Sequence, residues 1–510
     1  MLSLAEHNPD HPAVVHDGAT WTYGELDRRS LRIAQNLLAA GVEHGDRIVT
    51  LLPNCHELVA LYLAGFHAGF TIVPLDVRYH TAQINFALRH SGARAVVVDG
   101  DRIGDMSDCE ALADVDLRLV TGPGNHEGYK SFRHLLTTRP TMSLDAGFRS
   151  DDVSLVFYTS GTTARPKGVT LTRDSVASSI HKAGAVLRFR SDDVTLIAAP
   201  ISRPMALRTQ LLPSLAAGAT VSLLSGFDPD SYVHALQEKP GATILALLPG
   251  ALRRVLFHPD LSRDTLGCVR LCICGGDYVP TDLFKTFHEL TGIELTEQCG
   301  MTETGMYAVN PPYGRKKCGS IGLPYYGVQL SIVDESGGDV SWGESGEIAV
   351  RSPFAMDGYW NDTAATRRVM RDGLIRTGDI GRIDDDGYLW LEGRRKDIIV
   401  RGGSNISPAA VQSALQKHPT VSEACVVGGD DSEQGQTVNA FVTLKSEVSF
   451  EEIDEELTAL AEKELPAFMV PETICVLPKL PRTGSGKVDR ERLKWIASSS
   501  DEGTLAILLG

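Results

Sequence analysis

The amino-acid sequence predicts an α/β fold: a large N-terminal domain of two βαβ-type sheets plus a small β-barrel, and a smaller α+β C-terminal domain. Three changes of pattern along the 510 residues lead to this prediction. Helical and strand patterns alternate from Thr20 to Asp99 and again from Ser154, short strands with turns rich in glycine and aspartate follow Gly319, and a compact mixture of helices and strands begins at Asp397. A chain of this length has room for several domains.

The two alternating series predict parallel sheets. Apolar residues that recur every three or four positions indicate helices, and short runs of apolar residues indicate buried strands. In the first series, helices are predicted at 25–39, 57–68 and 80–89, and strands at 47–52, 71–74 and 94–99. In the second series, strands are predicted from Ser154 and in TLIAAP, ATVSLL, ATILALLP and VRLCICGG. Alternation of this kind is typical of βαβ units.

The later part of the chain follows two other patterns. The segments SIVDESGGDV, GEIAVRS and DDDGYLWLEG predict short antiparallel strands, in a sheet or a small barrel. Beyond Asp397, the segments IIVRGG, EACVVGG and VNAFVTLK predict strands, and 408–417 and 450–465 predict helices. We place the domain boundary in the polar stretch 394–397, which gives an N-terminal domain of residues 1–395 and a C-terminal domain of residues 396–510.

The composition disfavours several classes of protein. A formal charge of −16 disfavours nucleic acid or an anionic membrane surface as a partner, because phosphate binding needs a basic face. No run of apolar residues approaches the length that spans a bilayer, and the N-terminal segment has no basic region followed by an apolar one. We therefore expect a cytoplasmic protein without integral membrane association. Cys272 and Cys274 alternate with apolar residues, which predicts a buried strand rather than a metal site.

One polar segment, YTSGTTARPKG at 158–168, predicts a phosphate-binding loop. Small residues allow backbone N–H groups to approach an anion, hydroxyl groups donate further hydrogen bonds, and the lysine adds positive charge. The spacing GxxxxGK[ST] is absent, so the segment differs from the loop of P-loop NTPases. ATP is the first ligand to consider. The residues of this segment predicted to bind it are Thr159, Ser160, Gly161, Thr162, Thr163 and Lys167.

Four further motifs follow this loop in order: GMTE at 300–303, RTGD at 376–379, GRRKD at 393–397 and PRTGSGK at 481–487. Together the five motifs resemble those of the adenylate-forming superfamily of acyl-CoA synthetases, carrier-loading adenylation domains and beetle luciferases. The resemblance covers nearly the whole chain. It implies that a carboxylate attacks the α-phosphate of ATP, releases pyrophosphate and becomes an acyl-AMP, which a thiol then accepts.

The resemblance assigns the catalytic cation to Lys487, on the Gly-Ser-Gly turn of PRTGSGK. One preorganised group that stabilises charge in the transition state contributes about 10²–10³ in rate. The resemblance also makes Thr302 and Glu303 catalytic residues, with Glu303 and Thr162 as ligands of Mg²⁺, a cation that prefers oxygen. Without the other motifs, a solvated lysine and a helix-capping carboxylate would be the simpler interpretations.

The nucleoside part of ATP is assigned by resemblance as well. Asp379 is similar to the family aspartate that accepts hydrogen bonds from the ribose hydroxyls, and Arg394 is similar to its companion. The residues that resemble the walls of the adenine slot are Gly275, Gly276, Gln298, Cys299, Gly300 and Met301. Cys299 departs from the family, which usually has an aromatic residue there to stack on adenine. We therefore expect weaker ATP binding unless another side chain replaces that stack.

A second departure lies in PISRPMAL at 200–207, where the family often has an aromatic residue followed by histidine and this chain has Ser202 and Arg203. In relatives this region lines the acyl pocket, so Arg203, Met205 and Arg208 are the predicted pocket residues. The arginines would then pair with a second carboxylate on the substrate. A structural salt bridge is at least as good an interpretation of Arg203.

The thiol acceptor is indicated by RGGSNISP at 401–408, which resembles the loop that lines the pantetheine tunnel of CoA ligases. Gly402, Gly403 and Ser404 are the predicted tunnel residues, and CoA is the favoured acceptor. Lys396 occupies the family hinge position. The resemblance implies a mobile C-terminal domain that swings about this hinge and exchanges Lys487 for the tunnel loop.

Three alternatives stay open. The first is an acyl-AMP ligase that loads a free carrier protein, and the second is a luciferase-like oxygenase, for which the sequence offers no specific signature. The third is a family member that has lost adenylation and only binds ligand or performs thiolation. Lys487, Glu303, Asp379 and Arg394 argue against the third alternative. The expected ligands are ATP, Mg²⁺, CoA and a carboxylic acid whose identity the sequence does not specify.

Overall fold

A computed structural model describes residues 8–139, 144, 147, 149–159, 166–401, 404–431, 435–445, 450–483 and 486–498 of the chain. Within these ranges the strands form four sheets of eight, nine, five and five strands. Helices pack between and around the two large sheets, which together make an α/β architecture. No helix in the part of the chain that the structure describes combines the length and the hydrophobicity needed to cross a bilayer.

The eight-stranded sheet contains the first predicted series. Its middle strands are parallel, from Val153–Thr159 through Thr71–Leu75 and Arg47–Leu51 to Ala95–Asp99. In spatial order its strands are Gly358–Tyr359, Lys167–Thr172, Val153–Thr159, Thr71–Leu75, Arg47–Leu51, Ala95–Asp99, Leu117–Thr121 and Lys130–Ser131. The associated helices are Tyr23–Ala39, His56–Ala68, Thr81–Ser91 and Arg133–Thr137, with 3₁₀ turns at Gly100–Met106 and Glu110–Asp114.

The prediction that the second series begins at Ser154 is wrong in one respect. The strand Val153–Thr159 pairs with Thr71–Leu75, so it belongs to the first sheet rather than the second. Sequence order did not reveal this, because the pairing partners lie about 80 residues apart. The pairing also places Thr159 and Lys167, two of the predicted phosphate-binding residues, in the first sheet.

The nine-stranded sheet contains the remaining strands of the second series. Its parallel strands extend from Thr296–Met301 to Pro12–His16. The strand Pro12–His16 comes from the N-terminal part of the chain and pairs with Thr220–Leu223. In spatial order its strands are Leu323–Pro324, Gly305–Val309, Thr296–Met301, Leu271–Gly275, Ile244–Leu247, Val194–Ile197, Thr220–Leu223, Pro12–His16 and Ala19–Thr22. Its helical segments are Arg173–Leu187, Pro204–Ala206, a π-helical turn at Leu207–Leu211, Leu212–Ala217, Pro229–Gln237, Pro249–Leu256 and Thr281–Thr291.

One large hydrophobic core joins the two sheets. It contains residues of both, such as Ile72 and Val221, and the apolar faces of the helices between them, such as Ile33, Tyr62 and Leu211. The helix Tyr23–Ala39 begins with a capping box, in which Thr22 and Glu25 each accept a backbone N–H. Cys272 and Cys274 are buried in the strand Leu271–Gly275, as predicted for an alternating strand.

A five-stranded antiparallel sheet lies where the sequence predicts a small barrel. Its strands are Gln329–Val333, Gly346–Arg351, Met370–Arg371, Leu374–Ile383 and Leu389–Arg394, and the helix Thr363–Val369 lies between the second and third of them along the chain. The strand order is open, so we describe the unit as a sheet.

The C-terminal part has a sheet and a core of its own. Its strands are Ile399–Arg401, Ser404–Ile406, Val421–Asp431, Gly435–Leu444 and Thr473–Val476, and its helices are Pro408–Leu415, Phe450–Glu464 and Arg490–Ser498, with a 3₁₀ turn at Ala467–Met469. The strand Leu389–Arg394 belongs to the preceding sheet. The boundary proposed between residues 395 and 396 therefore falls in the turn that links the two sheets.

Candidate active site

Three parts of the fold meet at one cleft. The carboxyl ends of the parallel strands Leu271–Gly275 and Thr296–Met301 supply one wall, and Asp379 of the antiparallel sheet supplies another. The C-terminal domain covers the cleft with the turn that bears Lys487. Ligands of open α/β sheets bind at such strand ends, because loops and helix N-termini converge there.

Asp379 and Arg394 are direct partners across two antiparallel strands. Arg394 Nε lies 3.1 Å from Asp379 Oδ1, and the Tyr307 hydroxyl donates to Asp379 Oδ2 over 3.0 Å. Burial raises the pKa of Asp379 above the usual aspartate value, and the charge of Arg394 and the hydrogen bond from Tyr307 oppose that rise. The site thus contains a buried carboxylate held in place by a cation and a phenol.

Cys299 is connected to the same carboxylate. Its thiol donates to the Tyr307 hydroxyl over 3.0 Å, which in turn donates to Asp379. Burial raises the pKa of the Cys299 thiol to about 12, so the sulfur stays protonated at neutral pH. Tyr307 was not predicted from sequence. In the sequence, only its position shortly after GMTE could have drawn attention to it. In the structure it is fully buried in the strand Gly305–Val309 and hydrogen-bonded to Cys299.

Glu303 lies in the turn between the strands Thr296–Met301 and Gly305–Val309 rather than at a helix N-terminus. Its side chain is 8 % exposed, and Tyr359 Oη donates to Glu303 Oε1 over 2.9 Å. Burial, followed by the charge of Glu303, raises the pKa of Tyr359 and keeps this donor protonated. The Lys167 ammonium lies 4.8 Å from the centre of the Tyr359 ring.

Tyr359 therefore links two predicted site residues that are 136 positions apart in the sequence, Lys167 and Glu303. The GYW segment that contains Tyr359 is similar to family sequence, but nothing in it indicated this contact. Thr159 lies opposite Lys167 in the strand pair that leads into and out of the phosphate-binding loop. Ser160, Gly161, Thr162 and Thr163, the other predicted residues of that loop, lie outside the described residues.

Glycines bring backbone strands together beneath the cleft. A Cβ at Gly275 would lie 2.0 Å from the carbonyl oxygen of Gln298, and one at Gly300 would lie 2.5 Å from that of Gly305. Gly276 has a φ of +83°, which L side chains rarely adopt. The Gln298 side chain is buried, and both its amide atoms lack a partner among the described residues. Met301 and Thr302 are partly exposed beside Glu303.

Lys487 belongs to the C-terminal domain but interacts with residues of the N-terminal domain. Its ammonium group is close enough to interact electrostatically with Asp277, Arg394, Cys299 and Asp379. It keeps contact with the solvent of the cleft. The surrounding protein nevertheless desolvates the charge and lowers the pKa of Lys487, against the opposing effect of Asp277. The structure thus brings Lys487, Asp379 and Arg394 together.

The turn that carries Lys487 is closed by its own hydrogen bonds. Thr483 N–H donates to the Lys487 carbonyl over 2.8 Å, and Gly486 N–H donates to the Thr483 carbonyl over 2.9 Å. The turn lies against the N-terminal domain, since a Cβ at Gly486 would lie 3.7 Å from Leu248. A further contact between the domains joins Tyr278 Oη and Ser413 Oγ at 2.6 Å.

Two of the residues predicted for the second half-reaction, Lys396 and Ser404, are among the described residues. Lys396 is in the turn between the two sheets, 4.0 Å from Glu491. Ser404 begins the short strand Ser404–Ile406. Gly402 and Gly403 lie outside the described residues.

The two arginines predicted for the acyl pocket have different environments. Arg203 Nε lies 3.1 Å from Asp76, which also binds Arg78 at 2.6 Å, so Arg203 takes part in the salt bridge considered as the alternative interpretation. Arg208 is 2 % exposed and forms no ion pair with any described residue. Met205 lies at the start of the same helical segment, 3.9 Å from a Cβ placed on Gly276.

Comparison with known proteins agrees with this geometry. Residues 3–360 match the family model of the AMP-binding enzyme, and residues 410–487 match that of the AMP-binding enzyme C-terminal domain. A feruloyl-CoA synthase from an Amycolatopsis species is 34% identical over 487 residues, which cover 95% of each chain.

Solved structures give the same result. The anthranilate CoA ligase AuaEII, in complex with anthranoyl-AMP, superposes with a TM-score of 0.91 at 26% identity, covering 99% of this chain and 97% of that one. ATP-bound MatB from Rhodopseudomonas palustris superposes with a TM-score of 0.89 at 29% identity, covering 98% of each chain. The chain therefore belongs to the AMP-binding enzyme family, the adenylate-forming superfamily that its five motifs resemble.

Proposed function

We propose that the protein is an AMP-forming acid–CoA ligase, which activates a carboxylic acid with ATP to an acyl-AMP and transfers the acyl group to CoA. The observation that carries this proposal is the position of Lys487, on the C-terminal domain, beside Asp379 and Arg394 of the N-terminal domain. The feruloyl-CoA synthase and the anthranilate CoA ligase that the chain resembles support CoA as the acceptor.

The proposed role of Lys487 is to stabilise the α-phosphate during attack by the carboxylate. Negative charge accumulates on the phosphate oxygens as the acid oxygen bonds to phosphorus and pyrophosphate departs. A cation fixed beside those oxygens in a partly desolvated cleft stabilises that charge more than water would. The lowered pKa of Lys487 reflects the same desolvation, while Asp277 keeps the ammonium form favourable.

The proposed anchor for the ribose is Asp379. A buried carboxylate can accept hydrogen bonds from both ribose hydroxyls, and charge-assisted hydrogen bonds of this kind contribute about 1.5–3 kcal/mol each. Arg394 and the Tyr307 hydroxyl orient the carboxylate from the protein side. Cys299 leaves the adenine face without the aromatic stack of the family, so this anchor carries more of the nucleotide affinity.

The residues beside the phosphate-binding loop fit a Mg²⁺ ion. The buried Glu303 carboxylate has one oxygen bonded to Tyr359, and the described residues give its other oxygen no hydrogen-bond donor. A single carboxylate oxygen and a hydroxyl from Thr162 are the hard ligands that Mg²⁺ takes when a nucleotide supplies the rest. Bound there, Mg²⁺ would offset the charge of the phosphates. Among the described residues no group of three acidic, histidine or cysteine side chains forms a separate metal site.

The second half-reaction is proposed to follow a rotation of the C-terminal domain about Lys396. Lys487 would leave the cleft and the Gly402–Gly403–Ser404 loop would enter, so that a pantetheine thiol can attack the acyl carbonyl and release AMP. The few polar contacts that join the domains, such as that between Tyr278 and Ser413, can be broken at small cost.

Exchange of labelled pyrophosphate into ATP tests the first half of this function. We expect exchange that depends on an added carboxylic acid and on Mg²⁺, and that a chelator abolishes. A panel of aliphatic and aromatic acids, each with and without CoA, would identify the substrate from pyrophosphate release. If no acid supports exchange, the protein has lost adenylation and the proposal is wrong.

The acceptor is tested separately. Acyl-AMP prepared chemically is offered to CoA and to a carrier protein that bears a pantetheine arm, and thioester formation is measured for each. We expect faster transfer to CoA. Transfer to the carrier protein alone would identify the enzyme as a carrier-loading ligase instead.

A further inference from the structure

Arg208 is a buried cation for which the described residues provide no acidic partner. Its side chain lies on the π-helical turn Leu207–Leu211 and is 2 % exposed. Nη2 donates to the Phe354 carbonyl over 2.6 Å, and Nε donates to Ser179 Oγ over 3.3 Å. Nη1 is buried and has no hydrogen-bond partner among the described residues. Desolvation alone lowers the pKa of Arg208 to about 10, so the group is still charged at neutral pH.

Two buried carboxylates of the same domain have cationic partners, whereas Arg208 has no anionic partner among the described residues. Asp193, whose side chain is fully buried, lies 2.5 Å from Arg270, and Asp76 is held by Arg78 and Arg203. Leaving a buried charge without a counter-charge costs several kcal/mol. Arg208 is such a charge among the described residues. Packing alone does not explain its presence in a protein that is proposed to bind a carboxylic acid.

The position of Arg208 supplies an explanation for its unpaired charge. It lies one helical turn after Met205, which approaches Gly276 at the end of the strand that borders the nucleotide cleft. On the other side, its Nη2 lies 3.4 Å from a Cβ placed on Gly305, the residue that ends the turn bearing Glu303. The guanidinium therefore lies beside the turn that bears Glu303.

The helical segment that bears Arg208 also contains an unsatisfied polar side chain and a flexible apolar one. On the same turn, Gln210 is fully buried and neither of its amide atoms has a partner among the described residues. Unsatisfied buried groups of this kind each cost about 1–3 kcal/mol, which a polar ligand would recover. Met205 has a flexible thioether side chain that can move aside for a ligand.

We propose that the acid substrate carries a second acidic group, which enters beneath the reacting carboxylate and pairs with Arg208. The inference rests on the proposed function, since it names the class of acid that the same site activates. A carboxylate on Arg208 Nη1 would complete the ion pair that the free protein lacks, and a planar guanidinium binds a carboxylate in two parallel hydrogen bonds. An acid without that group would leave Arg208 buried and unpaired in the complex.

Matched pairs of acids test this inference. Each pair shares a skeleton and differs by one carboxyl group: butanoate with succinate, hexanoate with adipate, and cinnamate with 4-carboxycinnamate. The measurement is kcat/KM for the acid in pyrophosphate exchange. We expect the diacid to be preferred by at least about tenfold in the pair that fits the pocket, since a charge-assisted contact is worth about 1.5–3 kcal/mol.

The variant Arg208→Met should remove the preference for the diacid, and Arg208→Lys should retain part of it. Arg254→Met, at an exposed arginine of the helix Pro249–Leu256, is the matched control and should leave the preference unchanged. Thermal unfolding gives a second readout. Arg208→Met should unfold at the same or a higher temperature than the parent protein without ligand, because it removes an uncompensated charge, but should lose the stabilisation by diacid.

The outcomes separate this inference from the proposed function. Exchange with the monoacids at least as efficient as with the diacids in every pair would overturn the role of Arg208 and leave the ligase intact. A lower unfolding temperature for Arg208→Met with unchanged selectivity would show that the arginine is structural. If Arg208→Met does not fold, the test rests on the parent protein, in which kcat/KM for the diacid is compared with kcat/KM for the monoacid of each pair. Absence of exchange with all acids would overturn both proposals.

Discussion

Lys487 and Asp379 have pKa values displaced in opposite directions by the same cause. Burial lowers the pKa of Lys487 and raises that of Asp379, because it disfavours the charged form of each. Each group also favours the charged form of the other through their mutual attraction. Burial thus opposes both charges, while their proximity favours both, and the proposed binding of a nucleotide would place a further charged group between them.

Replacing the ammonium group tests its proposed role. Lys487→Ala should lower acyl-AMP formation by about 10²–10³, because one preorganised charge is lost from the transition state. Thioester formation from acyl-AMP supplied directly should change little, since Lys487 is proposed to leave the cleft before that step. Lys479→Ala, at an exposed lysine of the same domain, is the control. An equal loss in both half-reactions by a folded variant would contradict the alternating assignment.

The hydroxyl of Tyr307 should control how ATP binding depends on pH. The ionised form of Asp379 is the stronger hydrogen-bond acceptor and its pKa is raised, so the proposed contact with the ribose should be strongest above that pKa and should weaken as the pH falls through it. Tyr307→Phe removes a donor to the ionised form, which raises the pKa further. ATP affinity in the variant should therefore begin to fall at a higher pH than in the parent protein. The difference should be up to about one pH unit, since a hydrogen bond of about 1.4 kcal/mol corresponds to one pKa unit.

The dissociation constant for ATP, measured across the weakly acidic range, checks this expectation. Tyr232→Phe is the matched control, because Tyr232 is also fully buried but has no hydrogen-bond partner among the described residues and lies in a different core. An unchanged pH profile for Tyr307→Phe would show that Asp379 does not bind the ribose.

At the residue scale, sequence motifs predicted Asp379, Arg394, Glu303 and Lys487, all of which lie in or around one cleft. The motifs did not predict Tyr307 or Tyr359, which hold two of these carboxylates. The reason is physical: from sequence, a tyrosine in a buried strand cannot be distinguished from an ordinary core residue until the partner of its hydroxyl group is known. The role of Arg203 was similarly decided by Asp76, which lies 127 residues earlier in the chain.

At the scale of elements, the turn at 394–397 connects two separately formed sheets. The Arg395 N–H donates to the Gly378 carbonyl and the Asp397 N–H donates to the Arg394 carbonyl, whereas no backbone hydrogen bond from the Lys396 N–H is found among the described residues. Rotation about Lys396 would break the two backbone hydrogen bonds that close over it, in which the Asp397 and Ile398 N–H groups both donate to the Arg394 carbonyl. Each such bond contributes about 1 kcal/mol net, so a hinge that loses two of them still turns at a modest cost in free energy.

A proline at this position should separate the two half-reactions. Lys396→Pro fixes φ at residue 396 without removing a backbone hydrogen bond, so acyl-AMP formation should be retained. Thioester formation should fall by at least about tenfold, since each 1.4 kcal/mol added to the domain rotation is a factor of ten in rate. Asp385→Pro, in an exposed turn of the antiparallel sheet, is the control for general effects of proline. Unimpaired thioester formation by Lys396→Pro would exclude rotation about this residue.

Prediction of the elements themselves succeeded where periodicity is strong. The helix predicted at 57–68 is His56–Ala68, and the strand predicted at 71–74 is Thr71–Leu75. The strand order of the sheets was not predictable in the same way. Pro12–His16 pairs with Thr220–Leu223, and Val153–Thr159 with Thr71–Leu75. Local propensity carries no information on such pairings, which depend on how the sheets pack against each other.

At the scale of the whole molecule, the nine-stranded sheet is secured by one buried ion pair at the amino ends of its strands. Asp193 precedes Val194–Ile197, and Arg270 precedes Leu271–Gly275. Burial raises the pKa of Asp193, but hydrogen bonds from Arg270, the Arg190 N–H and Thr243 outweigh this and lower it below the usual value. Asp193 therefore stabilises the folded chain above the ordinary aspartate pKa, and that contribution is lost as the pH falls below it.

Breaking this pair should destabilise the fold without a direct effect on chemistry. Arg270→Met leaves the buried Asp193 with only the more exposed Arg190, 4.0 Å away, as a counter-charge, at a cost of up to about 3–5 kcal/mol in the free energy of unfolding. Urea unfolding at neutral pH measures this cost. The double variant with Asp193→Asn should recover part of the loss, because it removes the buried charge. A loss of less than about 1 kcal/mol in the single variant would mean that the pair behaves like a surface salt bridge.

The cleft between the two domains has a practical consequence. Its lining comes from both sides, with Arg253 and Tyr278 of the N-terminal domain facing Glu423 and Arg482 of the C-terminal domain. A compound that contacts all four residues would hold the two domains together while Lys487 is still in the cleft. Such an inhibitor would permit one round of adenylation and then trap the activated acid inside, out of reach of its acceptor.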